Sequence, residues 1–190
     1  MLAKIGMVAA AALVIPLIVI ATRPAAFRVQ RSVTIAAPPE VVFAQIGDLH
    51  RWARWNPFEK GDTEMRKTFE GAASGVGSSY RYAGGKTGEG RMTLVQVDPH
   101  RRVAVRAEFI KPVAATNDIE FTLRPAPGGV SLTWAMSGNN GFLGKAISLF
   151  VNMDHMVGGQ FEQGLADLKR LSEAEARQAA MEPAVAGARG

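Results

Sequence analysis

The chain has no cysteine among its 190 residues. That excludes disulfide staples and thiolate metal sites, and leaves the redox compartment open. Histidine is scarce. His50, His100 and His155 fall in separate segments, and none has a second ligand-type residue at an established metal spacing. No metal and no cofactor are expected. Aromatic residues make up 7% of the chain, and only two of them are tyrosine. No dense basic run interleaves with them, so the net charge of +5 is not a nucleic-acid signature. Its scattered arginines suit anionic lipid headgroups better. The chain also lacks a Ser–His–Asp order and a nucleophile elbow. Gly84-Gly85-Lys86-Thr87 is no phosphate loop, because Tyr80 stands where the first glycine belongs. It reads as a hairpin turn. Gly75-Val76-Gly77 lacks the third glycine of a dinucleotide fingerprint, and a strand pattern follows it.

One long apolar run is present. Ile5 to Ala21 contains no charged residue. As a helix it spans about 25 Å, slightly short of the roughly 30 Å hydrocarbon core. Lys4 and Arg23 extend it by snorkelling, and Pro16 is tolerable within a bilayer. Residues 1–26 are therefore expected to be an amino-terminal transmembrane anchor. The rival reading is a signal segment cleaved after Val19-Ile20-Ala21, which would make the mature protein secreted or periplasmic. Arg23, Arg28 and Arg31 outnumber Lys4 across the run and favour a cytoplasmic domain, whereas a signal-anchor would export it. The side stays undecided.

Residues 27–172 form one domain. Val29–Ile35 alternates and predicts a strand. Ala37-Pro38-Pro39-Glu40 ends it and starts a helix, whose apolar face is Val41, Val42, Phe43 and Ile46. Asp48–Trp55 predicts a second short helix. Beyond Asn56-Pro57 the period becomes two, with strands expected at 64–69, 78–82, 88–97, 102–109, 118–124 and 130–136. Gly84-Gly85, Asp98-Pro99 and Pro125–Gly129 punctuate them as antiparallel hairpins. After Gly138 the period returns to 3.6, and a stripe from Phe142 through Leu149, Val157, Phe161, Leu165 and Leu168 to Leu171 predicts one long helix bent at Gly158-Gly159. Residues 173–190 are expected to be a flexible tail. The whole is α+β, a curved antiparallel sheet wrapped around the long helix.

This order is similar to the START-like helix-grip superfamily. The chain resembles its SRPBCC branch, the polyketide cyclase/dehydrase family. The residues that carry the likeness are Arg31–Phe43, Trp52 with Trp55–Phe58, Gly75-Val76-Gly77 before Tyr80, Gly88–Met92, Val130–Trp134 and Gly164–Lys169. Tyr82 departs from the tryptophan common in relatives. The resemblance implies a cavity between sheet and helix that holds a hydrophobic or amphipathic small molecule, or a lipid. Tyr80 and Tyr82 share one face, which the resemblance makes the inner one.

Strand parity and this likeness give the expected ligand-binding set: Trp55, Phe58, Tyr80, Tyr82, Met92, Phe109, Phe121, Trp134, Met136, Phe150 and Met153. Arg31 has the parity of Val29 and Val33 and is the candidate polar anchor for an anionic head. Glu108 and Glu120 have the opposite parity and face water. Catalytic residues are not assigned. Two other readings stay open: a cyclase/dehydrase-type enzyme in which Tyr80, Tyr82 or Arg31 polarises a carbonyl, and a structural or interaction module filled by its own side chains. The expected partners are a small apolar ligand and a membrane, with no nucleic acid; a protein partner is not specified.

Overall fold

The computed structural model describes residues 12, 14–149 and 152–187. Residues 5–11 and 13 of the apolar run Ile5–Ala21 thus fall outside the described residues. Its remainder is helical over 14–22 (α1), and among the described residues no helix is long and apolar enough to cross a membrane.

Seven antiparallel strands follow in one sheet: β1 Ala26–Ile35, β2 Arg66–Gly71, β3 Ser78–Gly84, β4 Gly88–Asp98, β5 Arg102–Lys111, β6 Ala115–Ala126 and β7 Gly129–Asn139. Their order is β1-β7-β6-β5-β4-β3-β2. Each predicted strand is present, most of them a few residues longer than expected. Three helical pieces cross from β1 to β2. They are α2 Pro39–Ile46, a 3₁₀ turn Leu49–Arg54 and α3 Pro57–Lys60. Alternation beyond Asn56 did not predict α3. Its marks are nevertheless local, since Asn56 Oδ1 accepts from the Phe58 N–H at 3.2 Å and Pro57 fills the first helical position.

The predicted long helix is two helices. α4 is Phe142–Ile147 and α5 is Met153–Gly187. The break therefore comes before α5, which runs continuously through Gly158-Gly159. Gly158 has a packing role instead: a Cβ there would lie 2.1 Å from Arg31 Nη2, so only glycine lets the guanidinium rest on the helix. The expected tail from residue 173 continues α5. Ser172 is fully buried, Glu173 accepts from the Ala36 N–H at 2.9 Å, and Glu175 accepts from Gln45 and Arg54. The domain thus extends past 172, because this turn of α5 latches onto α2 and the 3₁₀ turn.

The core lies between the sheet's inner face and α5. Val157, Phe161, Leu165 and Leu168 are buried against Val29, Ile119, Phe121, Leu132 and Trp134. Phe142 and Ile147, which extend the same sequence stripe, are exposed. The outer face carries cross-strand ion pairs such as Arg102–Glu120, Arg106–Asp118 and Lys111–Glu89, in keeping with the water-facing parity of Glu120.

Candidate functional site: the inner face of the sheet

Strand register arranges the inner-face side chains in rows. One row runs Val103, Phe121, Trp134, Arg31. A second runs Phe69, Tyr80, Met92, Ala107, Asn117, Gly138, Phe27. A third, at the sheet end where β1 begins and β7 finishes, runs Lys67, Tyr82, Gly90, Phe109, Ala115.

The first row is plugged with aromatics. Trp134 stacks on Phe161 of α5, with centroids 4.1 Å apart and planes 12° off parallel. Trp55, Phe58 and Phe121 meet Trp134 at 5.5, 6.4 and 5.2 Å. Helix and sheet approach so closely here that a Cβ on Gly164 would lie 2.7 Å from the Trp134 ring and 2.8 Å from Pro57. Trp52 and Trp55 direct their indole N–H groups to the Ile46 and Gln45 carbonyls, both at 3.1 Å. Trp55, Phe121 and Trp134 are thus core, while Phe58 keeps 38% of its surface exposed. Trp134 differs in one respect. Its Nε1–H is buried and finds no acceptor among the described residues. An unmet buried donor costs roughly 1–3 kcal/mol, against a total domain stability of roughly 5–15.

The other rows are floored with small residues and hold the polar groups. Gly90 leaves room for Tyr82 to lie across β4; a Cβ there would be 2.4 Å from its hydroxyl. Gly138 likewise makes room for Asn117, whose Oδ1 would sit 2.2 Å from an added Cβ. Asn117 is 8% exposed, and its amide donates only to Met136 Sδ, at 3.8 Å, a weak acceptor. Tyr82 is 6% exposed; its hydroxyl has no hydrogen bond among the described residues and is not wholly sealed from solvent. Burial pushes its pKa up to about 12, so it is a neutral donor at physiological pH. Met92 and Phe109 are half-buried beside these groups.

Two of the expected polar groups are already engaged. Tyr80 donates to Glu59 Oε1 at 2.8 Å, and Glu59 pairs with Lys67, whose ammonium lies 5.2 Å from the Tyr80 ring centre. Burial first, then the Glu59 charge, raises the Tyr80 pKa well above its ordinary value. Glu59 and Lys67 went unread because α3 was missed: on α3, Glu59 turns inward. Arg31 faces α5 as parity implies, but its partners are protein carboxylates. It donates to Glu162 Oε1 at 2.7 Å, to Asp154 Oδ1 and Oδ2 at 3.0 Å, and to the Gln30 and Asp154 carbonyls. All five guanidinium N–H groups are thereby used. The expected anchor for an anionic ligand is instead a brace between β1 and α5. Phe150 lies outside the described residues, and Met153 opens α5.

The Gly84–Thr87 turn does bind an anion, but an internal one. Asp62 is buried, and one of its carboxylate oxygens accepts from the Lys86 and Thr87 N–H groups, both at 2.9 Å, and from the Thr87 hydroxyl at 2.8 Å. These bonds, led by the Thr87 N–H, hold its pKa down to about 2. A depression of about 430 Å³ beside this turn is lined by Glu64, Arg66, Ala83, Gly84 and Gly85 and includes none of the expected ligand residues. Among the described residues no group of three or more His, Asp or Glu is placed to hold a metal ion.

A family model described as polyketide cyclase / dehydrase and lipid transport matches residues 26–173. Among solved structures, Chromobacterium violaceum protein CV1439 superposes with a TM-score of 0.56 at 18% identity, over 80% of this chain and 99% of its own. Mesorhizobium loti protein MLL2253 gives 0.56 at 19%, over 76% and 96%. The di-domain ARO/CYC StfQ of steffimycin biosynthesis gives 0.59 at 12%, over 82% of this chain and 52% of its own. At these identities the likeness is one of fold. No protein of curated function aligns significantly with the chain.

Proposed function

The chain belongs to the polyketide cyclase/dehydrase and lipid transport family, and from that premise we propose that it is a membrane-tethered, non-covalent binder of a hydrophobic small molecule with a neutral polar group. The observation that carries this reading is a set of inner-face polar groups without strong protein partners among the described residues: the buried Trp134 Nε1–H, which has no acceptor, the Asn117 amide, which donates to a thioether, and the Tyr82 hydroxyl. Native folds rarely leave such groups unmet, and all three can hydrogen-bond to a carbonyl or hydroxyl. The cations on this face, Arg31 and Lys67, are paired with carboxylates, which disfavours an anionic head. Met92, Phe109 and Met136 supply apolar walls, worth about 25 cal/mol per Å² buried. The tether is the run Ile5–Ala21.

A cyclase/dehydrase-type reaction is the second reading. It rests on Tyr82, whose free, protonated hydroxyl suits polarising a carbonyl, whereas Tyr80 and Arg31 are engaged.

Native mass spectrometry of the full chain, purified in mild detergent from its own source and extracted with solvent, tests the main reading. The expected result is one co-purifying neutral apolar compound, lost from a folded Asn117→Leu variant. Ligand-free wild-type protein would overturn the binder reading. A chemically altered product after incubation with that compound would favour the enzyme.

A further inference from the structure

The geometry points to a bilayer-docking face at the end of the sheet where β1 starts and β7 ends, so that the ligand-binding end of the domain opens onto the membrane. This inference rests on the membrane-tethered reading above and adds the orientation of the domain on its tether.

Three observations meet at that end. First, helix α1 is apolar all round, and the described residues leave most of its side chains uncovered. Val14, Ile15, Leu17, Ile18 and Val19 point in most directions around the axis, and each keeps 40% or more of its surface exposed. A helix of that kind needs an apolar surrounding. Second, α1 does not leave on a free linker. The Asn140 N–H donates to the Ala25 carbonyl at 2.7 Å, and Lys145 Nζ of α4 reaches the Ala21 carbonyl at 3.3 Å. The exit of the tether is therefore pinned beside α4. Third, apolar side chains left uncovered elsewhere gather at the same end. Phe142 and Ile147 of α4, Met156 in the first turn of α5, and Ile110 and Val113 at the β5–β6 turn are 41–56% exposed. The β5–β6 turn lies at this end because Phe109 pairs with Ala115 and Asn117 with Gly138.

Charge fits a lipid occupant better than a second copy of the chain. Arg23 and Lys145 have no carboxylate partner among the described residues and flank the patch, where anionic headgroups would meet them. Asp154, an acid at this end, is paired with Arg31, and Glu89 and Asp118 are paired with Lys111 and Arg106. The rows holding Tyr82, Gly90 and Asn117 lie close to this face, so an apolar ligand held there would enter from the bilayer side.

The absence of native cysteine makes the test clean, because a single introduced thiol is the sole labelling site. The full chain, carrying Phe142→Cys, Val113→Cys or, at the opposite end, Val76→Cys, is labelled with an environment-sensitive NBD probe. Each variant is reconstituted into vesicles of phosphatidylcholine and phosphatidylglycerol. The expected result is a blue-shifted emission at 142 and 113 that lipid-borne nitroxides quench, with water-like, unquenched emission at 76. Vesicle-bound protein with all three probes water-like would overturn the docking face and leave the tether intact. Protein that does not associate with vesicles at all would overturn the tether reading itself. Probes at 142 and 113 that are shielded yet unquenched, and that crosslink between chains, would assign the face to a second copy and overturn the lipid proposal.

Discussion

The two ends of the sheet's inner face are built on opposite rules. Around Trp134, large rings interlock with α5, and glycine is used at 164 to bring the backbones closer. Around Tyr82 and Asn117, glycine is used at 90 and 138 to make room, and the polar groups placed there lack strong partners. The same residue type closes one end and opens the other. On the proposed reading the difference separates stability from binding in space: the plugged end holds helix to sheet, and the glycine-floored end carries the polar groups that would meet a ligand.

Substitutions that collapse this contrast have a definite order of size. Trp134→Ala removes the centre of the plug and is expected to cost about 3–5 kcal/mol, read as a lower urea midpoint at an unchanged slope. A loss below about 1 kcal/mol would mean that the plug is not the stabilising end. Gly164→Ala drives a methyl against the Trp134 and Pro57 rings and is expected to cost about 1–3 kcal/mol by overpacking. Gly158→Ala forces the Arg31 guanidinium off α5, which checks the brace separately. At the glycine-floored end the sign changes. Asn117→Leu replaces a poorly satisfied amide by an apolar group of similar size, so stability is expected to stay within about 1 kcal/mol of wild type or to rise while ligand affinity falls. Equal affinity would remove Asn117 from the site.

The pH responses sharpen the comparison further. Asp62, clamped under the hairpin of the glycine-floored end, is held at about 2, below its ordinary 3.8. A depressed folded-state pKa gives stability that is complete above 3.8 and is lost as pH falls through about 2. Asp62→Asn should therefore flatten the acid limb of the urea midpoint between those values. The remaining slope would come from Glu70, Asp154 and Glu173, which their cationic partners also hold low. The smallest effect is spectroscopic. The two tyrosines of the chain are both buried on this face, and Tyr82 is raised to about 12 from 10.0. Tyrosinate absorbance at the ordinary phenol pKa should thus be absent from the folded protein and appear on unfolding. Early titration of one tyrosine would mean that the glycine-floored end is open to water.

Much of this was legible in the sequence because it is local. Alternation put Phe121 and Trp134 on the inner face and Tyr80 with Tyr82 on a shared face that the family resemblance made the inner one, and Asn56-Pro57 carried the mark of α3 although alternation obscured it. Three readings were not legible. The stripe from Phe142 to Leu171 cannot reveal that Phe142 and Ile147 of α4 are left exposed, since periodicity says which residues share a face and not what covers it. The break between Ile147 and Met153 has no glycine or proline to announce it. The role of Gly158 depends on a guanidinium more than a hundred residues away.

By itself the sequence determined the order of the strands, the family and the side of the sheet each strand residue takes, because the strand period and turn chemistry act over a few residues. Only the tertiary structure decided which inner-face polar groups are spent and which are open. Arg31 is used up because α5 runs along β1, and Tyr80 because α3 turns Glu59 inward, whereas Tyr82 and Asn117 fill the space over Gly90 and Gly138 without meeting a strong partner among the described residues. Those pairings join segments distant in the chain, and hydrogen-bond supply at such a point is set by packing and not by local pattern.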